Sequence, residues 1–195
     1  MEIIMLQLKM LRRSAAVKPR ALPEGYTYGS YDRTEEQLTL WLDMNLKGQL
    51  IPENPPESGN WRDWFKVTVL DYADLDPDED IIYVYAPDGQ MVATICAVKH
   101  GAEQGYIHMV AAHPDCRGKG IGHAMLSFAL EKLEARGCTY SILTTDDFRL
   151  PAIKTYLDAG FRPVLRRDPE SDQRARWDGV IAALGYEPVE YFEET

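Results

Sequence analysis

The stretch VAAHPDCRGKGIGHAML, residues 110–126, joins an apolar run to a long amphipathic segment. Its middle, RGKGIG at residues 117–122, interleaves glycines with the cations Arg117 and Lys119. A helix that begins at such a loop presents unsatisfied backbone N–H groups and a partial positive charge. Because glycine has no Cβ, a phosphate can approach that backbone closely. The stretch predicts a strand–loop–helix junction that cradles a pyrophosphate.

Two familiar phosphate motifs do not fit this loop. A Walker A loop needs Lys-Ser or Lys-Thr after its last glycine, and no such pair follows a glycine here. A dinucleotide fingerprint, GxGxxG, that starts at Gly118 would have His123 at its third glycine position. The spacing that fits is Arg-x-x-Gly-x-Gly, formed by Arg117, Gly120 and Gly122. An ordinary glycine-rich turn before a helix is the alternative that this motif alone leaves open.

Length and charge limit the class of protein. A chain of 195 residues fits one domain, predicted over 1–195 with a core at about 20–167 and a C-terminal helical extension at about 168–195. The formal net charge of −10 argues against a nucleic-acid binder. No run approaches the ~20 apolar residues of a membrane span, and polar residues interrupt the N-terminal run, unlike a signal peptide. Three cysteines without metal or CxxC spacing are predicted to be reduced thiols in a cytoplasmic protein that binds no metal.

The hydrophobic periodicity predicts a mixed α/β sheet. Two β-rich runs around Pro87-Asp88-Gly89 predict a hairpin, and alternating apolar residues near 4–10 predict an N-terminal strand. After the hairpin, strands and helices alternate, which predicts parallel pairing. The acidic run 74–80 is predicted to be a loop. Helices are predicted over 34–48, 61–70, 120–137, 150–161 and 170–186, and strands over 25–33, 81–100 as the hairpin, 105–114, 138–147 and 161–167.

A second motif lies further along the chain. The segment PAIKTYLDAGF, residues 151–161, has Ala152, then Tyr156 four residues on, then Gly160-Phe161. With the glycine loop, which follows a strand and the pair HP, this order resembles the GCN5-related N-acetyltransferase (GNAT) superfamily and its signature (Q/R)-x-x-G-x-(G/A). The resemblance is specific over about 81–164 and weak over the N-terminal third and the tail.

The resemblance implies a GNAT-like single domain in which acetyl-CoA binds where two neighbouring parallel strands splay apart. These strands would be YIHMVAA, residues 106–112, and YSILTT, residues 140–145. The strand backbone near Val110 would bind the pantetheine arm and polarise the thioester carbonyl, and Tyr156 would protonate the leaving thiolate. The implied cofactor-binding residues are Val110, Ala111, Ala112, Arg117, Gly118, Lys119, Gly120, Ile121 and Gly122.

The motifs leave the general base open. His108 shares strand parity with Val110 and Ala112, and imidazole titrates near neutral pH, so His108 is the first candidate. A carboxylate that acts through water is the other option. The carboxylates that stay open are Asp146, Asp147 and Glu103.

Four further features have a functional and a structural interpretation. Arg149 stands where many family members have an asparagine that contacts the cofactor, so its role is left unassigned. Cys116 beside the glycine loop is either an oxidisable thiol or a passive residue. The aromatic residues of 61–65 either contact the acceptor or pack in the core. The acidic run 71–80 either attracts a cationic acceptor or is a solvated loop.

These observations predict an acyl-CoA-dependent N-acyltransferase that moves acetyl from acetyl-CoA directly to a primary amine within a ternary complex. The predicted acceptor is a small-molecule amine or a protein or peptide amine, with no nucleic acid or membrane partner, and a homodimer is compatible with the family. One alternative is a CoA-binding sensor module without turnover. Another is a transferase that acts on a hydroxyl or thiol, or that uses a longer acyl group.

Overall fold

The computed structural model describes residues 6–48, 50, 60–168 and 171–194. Its strands are β1 (Leu8–Arg13), β2 (Thr27–Ser30), β3 (Ile81–Tyr85), β4 (Met91–His100), β5 (Gln104–Ala112), β6 (Tyr140–Thr145), β7 (Arg162–Leu165) and β8 (Phe192–Glu193). Its α-helices are α1 (Glu35–Lys47), α2 (Trp61–Phe65), α3 (Pro77–Asp80), α4 (Ile121–Ala135), α5 (Leu150–Asp158) and α6 (Gln173–Ala183). The strands form one mixed sheet in the order β2-β3-β4-β5-β6-β1-β7-β8, which confirms the predicted fold class.

The predicted hairpin is formed by β3 and β4, which pair antiparallel. In the turn, the N–H of Gly89 donates to the carbonyl oxygen of Ala86 at 2.9 Å. Gly89 has a φ of +84°, a conformation that a residue without Cβ adopts readily. The turn chemistry of Pro87-Asp88-Gly89 therefore fixes the hairpin as the sequence predicted.

The strand β1 lies in the interior of the sheet. It pairs antiparallel with β6 on one side and with β7 on the other. Leu8 and Met10 are fully buried, because this face of the strand packs into the core. The predicted parallel pairing therefore holds for β5 with β6, whereas β1 separates β6 from β7. Residue 4, which the predicted N-terminal strand included, lies outside the described residues.

Hydrophobic layers cover both faces of the sheet. The larger layer joins β1 and β4 to α4, α5 and α6, and it includes the fully buried Trp177. The smaller layer lies under α1 and α2 and includes Trp41 and Phe65. Both β1 and α6 therefore pack in the main core, although they lie outside the 20–167 span predicted for it. No helix in the described ranges is long and apolar enough to cross a bilayer.

The helix α1 begins and ends where the sequence predicted. Thr34 is its N-cap, and its hydroxyl oxygen accepts a hydrogen bond from the N–H of Gln37 at 3.2 Å. Gly48 ends the helix. The helix predicted over 61–70 begins as α2 and then continues as a π-helix over Lys66–Leu70. Such π-helical turns occur frequently at functional sites.

The acidic run 74–80 is more ordered than the predicted loop. Its second half forms the short helix α3, which Asp76 caps by accepting a hydrogen bond from the N–H of Asp78. Asp80 is fully buried and forms an ion pair with Arg136. A buried carboxylate requires such a partner, so this part of the run has a structural role.

Candidate active site

The parallel strands β5 and β6 separate after a short paired segment. They pair only from Gln104↔Tyr140 to Tyr106↔Ile142, while β5 stays paired with β4 as far as Ala112. The C-terminal half of β5 therefore has a backbone edge that no strand of the described residues covers. Backbone N–H and C=O groups require partners, so this edge is suited to bind an extended ligand. The splay that the resemblance implied is present between these strands.

A β-bulge divides β5 where the splay begins. Thr94 of β4 pairs with Ala111 and Cys96 pairs with His108, so that two residues of β5 oppose one residue of β4. Met109, inside the bulge, has a φ of +50°. A bulge adds one residue to one strand and thereby reverses which face later side chains occupy.

The bulge overturns the parity argument for His108. Val110 and Ala112 pack against the main core layer. His108 lies on the opposite face of the sheet, where its ring stacks on Tyr72 with centroids 4.2 Å apart. Strand alternation predicts a shared face only for an unbroken ladder, and the bulge lies between His108 and Val110.

The glycine loop leads into α4 at the end of β5. Gly118 and Gly120 have φ values of +75° and +78°, and Gly120 is the N-cap of α4 with no side-chain hydrogen bond to the helix. A Cβ built at Gly118, Gly120 or Gly122 would meet no protein atom within 4 Å. The glycines therefore keep a space open over the first N–H groups of the helix. These residues fit a pyrophosphate group.

Tyr156 lies on α5, which follows β6. Only 5% of this residue is exposed. Burial raises the pKa of its hydroxyl well above the usual value, and the nearby charge of Arg149 opposes part of that rise. Tyr106, at the last paired position of β5, also raises the pKa of Tyr156. Tyr156 is thus a buried, protonated hydroxyl on the helix that follows β6.

The two aspartates after β6 are engaged in ion pairs. Asp146 accepts a hydrogen bond from Nε of Arg149 at 2.9 Å and one from Nε2 of Gln7 at 3.1 Å. Asp147 accepts two hydrogen bonds from the guanidinium of Arg176 on α6, which hold the pKa of this carboxyl below its usual value. A lowered pKa makes Asp147 a weaker base. These pairs instead anchor the loop between β6 and α5.

Glu103 and Cys116 have surroundings that favour structural roles. Glu103 precedes β5 in the turn from β4, at the opposite end of β5 from the splay, and its carbonyl oxygen accepts hydrogen bonds from Thr139 and Tyr140. Cys116 is buried, and burial raises the pKa of its thiol. A raised pKa favours the passive interpretation of this thiol. The described cysteines Cys96, Cys116 and Cys138 are free thiols.

An aromatic stack of Tyr72, Tyr106 and His108 was not predicted from the sequence. Tyr72 stacks on Tyr106 with centroids 5.7 Å apart. The hydroxyl of Tyr106 lies 3.2 Å from the hydroxyl of Thr144, across the gap between β5 and β6. Nε2 of His108 lies 2.9 Å from the carbonyl oxygen of Thr68 in the π-helix, so this nitrogen is the donor. The stack lies on the face of the sheet that α1 and α2 cover.

The aromatic residues of α2 pack on the same face of the sheet, against α1. Phe65 is buried against Trp41, with ring centroids 4.7 Å apart. The ring centroid of Trp64 lies 6.1 Å from that of Trp41 and 5.8 Å from that of Trp61. Trp61 and Trp64 are both half-buried. Phe65 therefore packs in the core, which is one of its two interpretations from the sequence, while the two tryptophans border solvent.

Comparison with known proteins supports the relationship that these motifs indicate. The family model described as "Acetyltransferase (GNAT) family" matches residues 37–161. Acetyltransferase SG1711 of Sodalis glossinidius (strain morsitans) is 34% identical over 108 residues, which are 55% of this chain and 66% of that protein. A mycothiol acetyltransferase of Thermomonospora curvata is 23% identical over 160 residues, which are 81% of this chain and 51% of that protein. The chain thus spans between about half and two thirds of the length of these relatives.

Solved structures share the fold. A GCN5-related N-acetyltransferase from Sphaerobacter thermophilus superposes with a TM-score of 0.63 at 20% identity, over 80% of this chain and 47% of that one. The matched range 37–161 contains the bulged strand, the glycine loop and Tyr156, which are the features that form the splayed site. The chain therefore belongs to the acetyltransferase (GNAT) family.

Proposed function

We propose that this protein transfers an acetyl group from acetyl-CoA to a primary amine. The observation that carries the proposal is the splay between β5 and β6, which ends at a glycine loop open to an anion. One wall of the splay is an unpaired strand edge, and the helix that follows β6 carries the protonated Tyr156. An extended thioester with a pyrophosphate group fits that order of features.

Each region of the site has a role in this proposal. The N–H groups of residues 117–122 bind the pyrophosphate, with Arg117 and Lys119 adding positive charge. The edge of Val110–Ala112 binds the pantetheine arm, and an N–H near Val110 donates to the thioester carbonyl, where negative charge develops. The amine nitrogen bonds to the carbonyl carbon, the C–S bond breaks, and Tyr156 protonates the departing sulfur.

The proposed transfer is direct, with no acetylated enzyme. Among the described residues, no Ser-His-Asp triad stands at the splay. Cys96 lies opposite His108 and Cys116 precedes the glycine loop, but burial raises the pKa of both thiols, which makes them poor nucleophiles. A longer acyl group, a hydroxyl or thiol acceptor and a sensor without turnover are the alternatives that an assay distinguishes. The same assay, run with a panel of amines, identifies the acceptor.

The first test combines binding and turnover. We expect acetyl-CoA to raise the melting temperature progressively with concentration, because it binds only the folded chain, while NAD leaves it unchanged. A panel of small amines and peptides should then release free CoA thiol in the presence of acetyl-CoA. Stabilisation without release across the panel would favour the sensor, and no stabilisation would overturn the proposal. Trapping acetyl on the protein during turnover would overturn direct transfer.

His108 is the proposed base, and it acts through Nδ1 because Nε2 donates to Thr68. Burial lowers the pKa of His108 from its usual value near 6.5. A general base works only when deprotonated, so kcat/KM should fall as the pH drops through this lowered pKa, with its acidic limb below pH 6.5. The variant His108→Phe keeps the stacked ring and should lose that limb together with most of the rate. An unchanged limb in His108→Phe would exclude His108 as the base.

A further inference from the structure

A cavity lies beside the first turn of α4, on the face of the sheet that α4 and α5 cover. Its volume is about 280 Å³, and it is enclosed by α4, the end of α5 and the segment that follows β1. His123, in the first turn of α4, lines it, so the cavity begins within one helical turn of the glycine loop. Part of its wall comes from residues 12–20, which lie outside the family match over 37–161.

The wall of this cavity is positively charged. Among its described residues, four are cations and one, Asp158, is a carboxylate. Asp158 is already engaged by Lys154 at 2.8 Å and by Nε2 of His123 at 3.2 Å. Within the described chain, Lys18 and Arg20 are exposed and form no ion pair. The cations that line the cavity are Arg12, Arg13, Lys18 and Arg20.

The backbone that presents these cations is fixed to the fold. Arg12 is buried, and its guanidinium donates to the carbonyl oxygen of Ala159 at 3.0 Å and to Glu134 at 2.8 Å. The hydroxyl of Ser127 on α4 donates to the carbonyl oxygen of Lys18 at 3.1 Å. Val17 packs against the main core layer. The segment is therefore held against α4 before any ligand binds, which lowers the entropic cost of binding.

The other cavity near the loop is less suited to a phosphate. It has a volume of about 420 Å³ and lies on the hairpin side, between Tyr26, the β3–β4 turn and Lys119. Asp88 and Asp115 line it together with Lys119, so carboxylates outnumber lysine and arginine there. A dianionic phosphate would face like charges at that position.

Resting on the proposed function, we propose that the cavity along residues 12–20 binds the 3′-phosphorylated ribose of CoA, with Lys18 and Arg20 binding the 3′-phosphate. A pyrophosphate on the glycine loop would leave the nucleoside end of the molecule to continue past His123 into this space. Guanidinium and ammonium groups form strong, charge-assisted hydrogen bonds to phosphate oxygens. The N-terminal segment would thereby distinguish CoA from 3′-dephospho-CoA.

Isothermal titration with CoA and with 3′-dephospho-CoA tests this inference. The unmodified protein should bind CoA about tenfold or more tightly than 3′-dephospho-CoA, because only CoA forms charge-assisted hydrogen bonds with Lys18 and Arg20. The double variant Lys18→Gln/Arg20→Gln should lose this preference through weaker binding of CoA, while its affinity for 3′-dephospho-CoA stays near the original value. The matched control Arg33→Gln/Arg174→Gln removes two exposed cations elsewhere and should keep the preference.

The outcomes separate the inference from the function on which it rests. Equal binding of both ligands by the unmodified protein overturns the inference alone, and so does a double variant that retains the preference. A double variant that binds both ligands more weakly by the same factor also overturns the inference. Lys18 and Arg20 would then contact a part of CoA other than the 3′-phosphate. Failure of both ligands to bind overturns the proposed function and the inference together.

Discussion

The variant Tyr156→Phe is expected to lower kcat by about 10²- to 10⁴-fold, the range that a positioned general acid contributes. The hydroxyl is buried, and its raised pKa keeps it protonated across the physiological range. A phenol with a raised pKa is a weaker acid but still a donor, so it stabilises the departing thiolate by a hydrogen bond before the proton moves. The affinity for acetyl-CoA should change little, because the pyrophosphate and strand contacts remain. Steady-state kinetics and a parallel binding titration measure the two quantities.

The control for this variant is Tyr140→Phe. Tyr140 is half-buried, and its hydroxyl donates to Gln104 at 3.1 Å, at the paired start of β5 and β6. Both variants lose one hydroxyl, so a general effect on folding should appear in both. If Tyr156→Phe kept the native kcat, or if Tyr140→Phe lowered kcat equally, the acid role of Tyr156 would be wrong.

The variant Gly120→Ala is expected to weaken acetyl-CoA binding by about a hundredfold. The new Cβ meets no protein atom, so it would occupy the open space over the helix N-terminus that the pyrophosphate needs. Displacing the phosphate from about two charge-assisted hydrogen bonds accounts for a loss of this size. The positive φ of +78° adds a backbone cost of about 1–2 kcal/mol to folding.

Gly137→Ala is a matched control at the other end of α4. Gly137 has a φ of +86°, and a Cβ there also meets no protein atom within 4 Å. The two variants should therefore lose similar stability, measured by chemical unfolding, while only Gly120→Ala loses affinity for acetyl-CoA in a titration. Equal affinities in the two variants would show that the glycine loop is a turn without a ligand.

Local chemistry explains which features the sequence could predict. The cap at Thr34, the hairpin turn at Gly89 and the glycine loop each depend on a few neighbouring residues whose preferences are strong. The splay could be predicted because two spaced motifs resemble one family, and the same resemblance implies a role for Tyr156. These features cover the cofactor side of the candidate site.

The remaining features depend on partners distant in sequence. Methionine does not favour a positive φ, so the bulge at Met109 results from the pairing of β5 with β4 and no local pattern marks it. The stack on Tyr72 and the bond from His108 to Thr68 depend on the π-helix and the segment after it, which are distant in sequence from β5. The position of β1 between β6 and β7 likewise depends on tertiary pairing. The alternation of apolar residues predicts a strand but not its neighbours in the sheet. The acceptor side was for these reasons the less predictable half.

The interior place of β1 also has a consequence for how the chain folds. Its backbone partners lie at residues 140–145 and 162–164, so these contacts close loops that include most of the chain. Contacts of such long sequence separation slow folding, because the entropy of loop closure must be overcome before they form. During synthesis, β1 emerges early and has neither neighbour until β6 and β7 follow. Until then its apolar face and both of its hydrogen-bonding edges are exposed, which makes β1 a segment of the nascent chain that is prone to aggregation.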